Sequence, residues 1–87
     1  MSMRDAKINS RAKGILVRRA VDLRYVNFST IKGIVYINGW LVYERSLRPL
    51  SSLEIFNIER EIKRIPDVEG VNFKVSSMYR NFLFNVL

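Results

Sequence analysis

Cysteine and histidine are both absent from the 87 residues of this chain. Without cysteine there is no disulfide, no thiolate nucleophile and no cysteine-based zinc site. Without histidine there is no imidazole metal ligand, and a Ser-His-Asp or Cys-His arrangement cannot form. The sequence also has no phosphate-binding glycine loop and no pair of carboxylates spaced for acid–base catalysis. We therefore expect a non-enzymatic chain with no catalytic residues, no metal, no cofactor and no small-molecule substrate.

Long apolar runs are missing as well. The longest stretches, such as residues 34–37, are far shorter than the roughly 20 residues that span a bilayer. Residues 1–14 are basic but lack an apolar run ahead of a small-residue cleavage site, so they do not have the pattern of a signal peptide. These absences predict a cytoplasmic chain, or a periplasmic one if a leader has been removed.

Acidic residues are scarce, because eight Asp and Glu face fifteen Lys and Arg, which gives a net charge of +7. Residues 1–32 hold eight of the basic residues and two of the acidic ones, so the first third carries most of the positive charge. The strongest basic cluster consists of Arg11, Lys13, Arg18, Arg19 and Arg24. On a helix, Arg11 and Arg18 share one flank, and Lys13 and Arg24 share the other. The cluster predicts contact with phosphates or lipid headgroups. The alternative is a solvated helix face with one pair to Asp22.

The clearest element in the sequence is a helix over residues 51–65. Ser51 and Glu54 have the spacing of a capping box, in which the hydroxyl binds the Glu54 amide and the carboxylate reaches back. Four isoleucines recur at three- and four-residue spacing and share one face: Ile55, Ile58, Ile62 and Ile65. Pro66 ends the helix.

Residues 28–43 are rich in β-branched and aromatic side chains and predict a β-hairpin that turns at Lys32 and Gly33. A two-residue loop pairs Ile31 with Ile34 and sets the register of both strands. Gly39 inside the second strand predicts close approach by another segment, most simply a packed helix.

The remaining segments complete one domain. Residues 71–76 alternate apolar and polar positions, which predicts a third strand joined to the hairpin by a right-handed crossover. An apolar stripe predicts a first helix over about residues 9–21, with Asn9 or Ser10 as its N-cap. We expect a core of about residues 9–76, a basic arm at 1–8, and an apolar tail at 77–87.

The stretch from Gly33 to Leu41, with a turn glycine, alternating aliphatic residues and a second glycine, resembles the strand pattern of the BON family of bacterial domains. Residues 61–66, followed by Val68 and Val71, resemble the end of that family's second helix and the entry to its last strand. The resemblance covers about residues 9–76.

The resemblance implies an α+β fold of αββαβ order, with a small mixed three-stranded sheet covered on one face by two helices. It also implies a non-catalytic module that binds phospholipid membranes or larger ligands. The chain departs from the family pattern at Asp67, where glycine is usual, and in the long loop at 44–50.

The hairpin face that helices leave open carries Tyr36, Asn38 and Trp40. Aromatic residues on such a face suit nucleobases, peptides or a partner's sheet. Alternatively, three residues of the tail cover this face as ordinary core: Phe82, Leu83 and Phe84.

Three functions remain open at this point. The first is a BON-like adaptor that engages an anionic phospholipid surface or a protein complex. The second is a nucleic-acid-binding domain that uses the basic segment and the aromatic sheet face. The third is a structural homo-oligomer assembled through residues 79–87.

Overall fold

A computed structural model describes residues 2–75 of the chain, and in it two helices pack against a three-stranded mixed sheet. The elements follow in the order α1 (Met3–Arg18), β1 (Val26–Ile31), β2 (Ile34–Gly39), α2 (Ser52–Lys63) and β3 (Gly70–Val75), with a short 3-10 helix (Leu23–Tyr25) before β1. The fold is therefore α+β, as the sequence predicted. No helix in this part of the chain is both long and apolar enough to cross a membrane.

Helix α1 begins six residues earlier than predicted. Its N-cap is Ser2, whose hydroxyl accepts a hydrogen bond from the Asp5 amide at 3.1 Å, so the predicted caps Asn9 and Ser10 were wrong. Residues 3–8 are helical and do not form an arm. Asn9 instead lies inside the helix, where its side-chain oxygen accepts a hydrogen bond from the Thr30 hydroxyl of β1 at 3.0 Å.

The hairpin has the predicted register, with Ile31 opposite Ile34. Lys32 and Gly33 both take positive φ, at 52° and 81°, as the two central residues of a type I′ hairpin turn do. The buried side chain of Asp5 was not predicted from the sequence. Its two carboxylate oxygens accept hydrogen bonds from the Lys32 and Gly33 amides, each at 2.9 Å, and so tie α1 to the turn.

Gly39 has a φ of 108°, and a Cβ at this position would overlap the backbone carbonyl oxygen of Tyr25. Another segment does approach Gly39 closely, as predicted, but it is the backbone at Tyr25 and not the expected helix. The same carbonyl accepts a hydrogen bond from the Trp40 amide at 2.8 Å, so glycine at position 39 lets these two backbone segments stay paired beyond the end of β2.

Helix α2 is capped as predicted, because the Ser51 hydroxyl accepts a hydrogen bond from the Glu54 amide at 3.1 Å. The Glu54 carboxylate lies 3.6 Å from the guanidinium of Arg19, which is not the reciprocal cap contact that we expected. Three of the four predicted isoleucines are buried and the fourth is partly buried against the core: Ile58, Ile62, Ile65 and Ile55.

Strand β3 runs parallel to β2, with Val71 beside Val35, so the sheet order is β1-β2-β3 and α2 forms the crossover. The core lies between the helices and the inner face of the sheet, and includes Val26, Val35 and Ile37. The predictions for the tail at 77–87, for an oligomer through residues 79–87, and for Phe82, Leu83 and Phe84, lie outside the described residues.

A basic groove between the helices and an uncharged face on the sheet

Three adjoining depressions, which share lining residues, follow the seam between α1 and the C-terminal end of α2; together we call them the seam groove. Its apolar lining includes Ile8, Ile15 and Ile65. Its basic lining consists of Arg4, Lys7, Arg11, Arg18, Arg19, Arg60 and Arg64. Its acidic lining residues are Glu61 and Asp67. At 1.5 Å of rise per residue, the α1 side of the groove is about 22 Å long. The groove therefore concentrates positive charge along one side of the helical layer.

Glu61 orders two of these arginines. One of its carboxylate oxygens accepts a hydrogen bond from Arg19 at 3.0 Å, and the other pairs with Arg18. Burial alone would raise the pKa of the Glu61 carboxyl, but the hydrogen bond from Arg19 and the charge of Arg18 outweigh it and lower that pKa. Glu61 therefore stays ionised, and it neutralises part of the charge at this end of the groove.

Arg24 does not belong to the same surface. The chain leaves α1 at Arg18, and Ala20 has a φ of 62°, so Arg24 lies in the 3-10 helix and not on a flank of α1. Its guanidinium pairs with the buried carboxylate of Asp22 at 2.7 Å. That hydrogen bond lowers the pKa of Asp22 and raises the pKa of Arg24. The predicted pair with Asp22 is thus present, and it involves only Arg24.

The predicted basic cluster is therefore divided. Arg11, Arg18 and Arg19 line the seam groove, whereas Lys13 is exposed on α1 and does not line it. Four further lining residues were not among the predicted site residues: Arg4, Lys7, Arg60 and Arg64. Arg4 and Lys7 precede Arg11 at helical spacing, which places all three on one helix face. This pattern is informative only if α1 begins before residue 4, which was not predicted.

The helical layer also exposes large apolar side chains. On α1 these are Met3 and Val17, and on α2 they are Leu53 and Phe56, which are 66% and 52% exposed. The Arg60 guanidinium lies 5.8 Å from the centre of the Phe56 ring. Basic and apolar side chains are thus interspersed on the solvent side of α2.

The predicted sheet residues lie away from the helices. Tyr36 and Asn38 alternate with the buried Val35 and Ile37, so they belong to the face that the helices leave open, which we call the outer sheet face. Trp40 lies just beyond β2, and its ring centre is 6.3 Å from that of Tyr25, with the ring planes tilted by 44°.

Among residues 2–75, no three His, Cys, Asp or Glu side chains are placed to hold a metal ion. A scan against protein-family models gives no match for the chain, and a search of curated proteins gives none either. The resemblance to the BON family stays a prediction from the sequence.

Proposed function

We propose that this chain is a non-catalytic, BON-like binding module that engages an anionic membrane surface through the outer side of its two helices. The observation that carries the proposal is the mixture of exposed cations and exposed apolar side chains on one layer. Interfacial binding of a helix combines electrostatic attraction to anionic headgroups with burial of apolar groups at the acyl boundary.

The electrostatic part of the attraction comes from the seam groove. Within residues 2–75, Arg18 and Arg19 are engaged by Glu61. The other basic lining residues form no ion pair in that range: Arg4, Lys7, Arg11, Arg60 and Arg64. Positive side chains that are not already paired retain their attraction for lipid phosphates, at roughly 1 kcal/mol for each one near the surface.

The apolar part comes from Leu53 and Phe56. Both side chains are more than half exposed, on the side of α2 opposite the buried Ile58 and Ile62. Contacts with phosphates alone would not require exposed aliphatic and aromatic groups beside Arg60. Burial of these groups in a bilayer interface removes apolar surface from water and stabilises the bound state.

A co-sedimentation assay tests the electrostatic part. We expect the chain to bind vesicles that contain phosphatidylglycerol, to bind phosphatidylcholine vesicles weakly, and to lose affinity as salt increases. Arg11→Ala should weaken binding about fivefold. Lys13→Ala is the matched control, because it removes an equal charge from the same helix outside the groove, and it should change binding less. Equal losses in the two variants would contradict a role for the groove, and absence of binding at low salt would refute the proposal.

Phe56→Ala tests the apolar part. This exposed substitution should leave the fold intact and weaken vesicle binding by roughly tenfold at every salt concentration, because the lost contribution is not electrostatic. The same variant separates the membrane from nucleic acid. If duplex DNA is the real partner, its affinity should exceed that for anionic vesicles and fall with a slope of about −0.9 per phosphate contact in a log–log salt plot, and Phe56→Ala should not change it.

A further inference from the structure

The outer sheet face, on the side of the sheet opposite the helical layer, carries two rows of hydrogen-bonding side chains. In one row Asn27 stands opposite Asn38, and Lys74 of β3 stands beside Asn38. In the next row Ser29 stands opposite Tyr36, and Asn72 stands beside Tyr36. Every member except Tyr36 is exposed, and Tyr36 is half-buried. The strands thus present a regular array of amide, hydroxyl and phenol groups.

An aromatic pair continues this array at one end. Tyr25 and Trp40 follow the pairing of Val26 with Gly39, and they are 41% and 38% exposed. The Arg24 guanidinium lies over the Tyr25 ring, 5.6 Å from its centre. Successive rows on one face of a strand are about 7 Å apart, so the surface from Trp40 to Tyr36 extends about 14 Å.

The charge of this surface separates its possible ligands. In the two rows Lys74 is the one charged side chain, and no carboxylate is present. Single-stranded nucleic acid is bound by grooves whose cations follow the backbone, and a membrane surface needs cations together with apolar groups. Lys74 within the rows and Arg24 at their aromatic end, which is already paired with Asp22, provide neither arrangement.

Sugars match the side chains that are present. A carboxamide both donates and accepts hydrogen bonds, as a sugar hydroxyl does. Three asparagines lie within two neighbouring rows, and an indole can stack against the C–H face of a pyranose ring. We infer that the outer sheet face binds a neutral oligosaccharide, with Trp40 as the stacking residue and Asn27, Asn38 and Asn72 as hydrogen-bonding residues.

Trp40 is the single tryptophan of the chain, so its fluorescence reports directly on this surface. Titration of the full chain with chitohexaose or cellohexaose should give a saturable change in emission that is the same at low and high salt. Asn38→Ala should weaken the affinity roughly tenfold, because a sugar hydroxyl loses its partner, and circular dichroism verifies its fold. Arg11→Ala is the matched control and should leave sugar binding unchanged while weakening vesicle binding, so failure of one site is distinguishable from failure of the other.

Three results would overturn the inference. The first is an emission unchanged by either hexasaccharide at millimolar concentration. The second is Asn38→Ala with wild-type affinity. The third is a response to an oligothymidylate that exceeds the response to both sugars and disappears at high salt, which would assign the face to single-stranded nucleic acid.

Discussion

Asp5→Ala is expected to lower the melting temperature by roughly 10 °C, because two hydrogen bonds to an ionised acceptor are lost. The carboxylate is buried and accepts the Lys32 and Gly33 amides at the hairpin turn. Alanine leaves both donors without this acceptor, and the Gly33 amide is buried. The substitution also removes the hydrogen bonds that tie the first turn of α1 to the hairpin turn. Lys7→Ala, an exposed change on the same turn of the helix, should shift the melting temperature by less than about 3 °C.

The same carboxylate predicts how stability depends on pH. The hydrogen bond from the Gly33 amide is the main cause of a lowered pKa for Asp5, and it prevails over burial, which acts in the opposite direction. Because the pKa in the folded chain lies below its ordinary value of 3.8, the contribution of Asp5 is present above that pH and is lost as the pH falls through the folded-state pKa.

Thermal melts of the wild type and Asp5→Asn between pH 7 and pH 2.5 measure this dependence. The difference between the two melting temperatures should be largest near neutral pH and should shrink on acidification below about pH 4. A difference that stays constant over the whole range would show that the charge of Asp5 does not stabilise the turn.

Ile62→Ala is expected to lower the free energy of unfolding by about 2–4 kcal/mol, the usual cost of truncating a fully buried isoleucine. The side chain has no exposed surface and lies in the core cluster between α2 and the sheet. Lys63→Ala, one residue further along the helix, should stay within about 0.5 kcal/mol, because Lys63 is exposed and its pair with the half-buried Glu59 is 3.5 Å long. Urea unfolding of both variants measures the contrast, and equal losses would mean that the wrong face of α2 has been assigned to the core.

Local patterns predicted the elements that local chemistry determines. The Lys32-Gly33 turn specified the hairpin register, and the cap at Ser51 with the recurring isoleucines specified α2. The start of α1 was missed because no apolar periodicity extends back from Ile8 to Ser2. Asp5 was missed for a related reason: the turn that it binds is 27 and 28 residues away in the sequence.

Residues of the candidate surfaces were predicted only where the spacing within a single helix or strand places them on one face. Arg11 and Arg18 share a flank of α1 as expected, because helical spacing determines it. The contribution of Arg64, at the C-cap of α2, to the same groove depends on how the two helices pack, which the sequence pattern does not contain. The ion pairs of Arg18 and Arg19 with Glu61 also depend on the tertiary fold, because Glu61 lies 43 and 42 residues further along the chain.

Site-specific labelling tests the membrane proposal most directly, because the chain has no cysteine of its own. Phe56→Cys on the helical layer and Asn38→Cys on the outer sheet face are each labelled with an environment-sensitive fluorophore and mixed with phosphatidylglycerol vesicles. We expect the emission of the label at position 56 to shift to the blue as it enters the apolar interface, while the emission of the label at position 38 is unchanged. A shift at position 38 alone, equal shifts at both positions, or no shift at position 56 despite vesicle binding would contradict the membrane proposal.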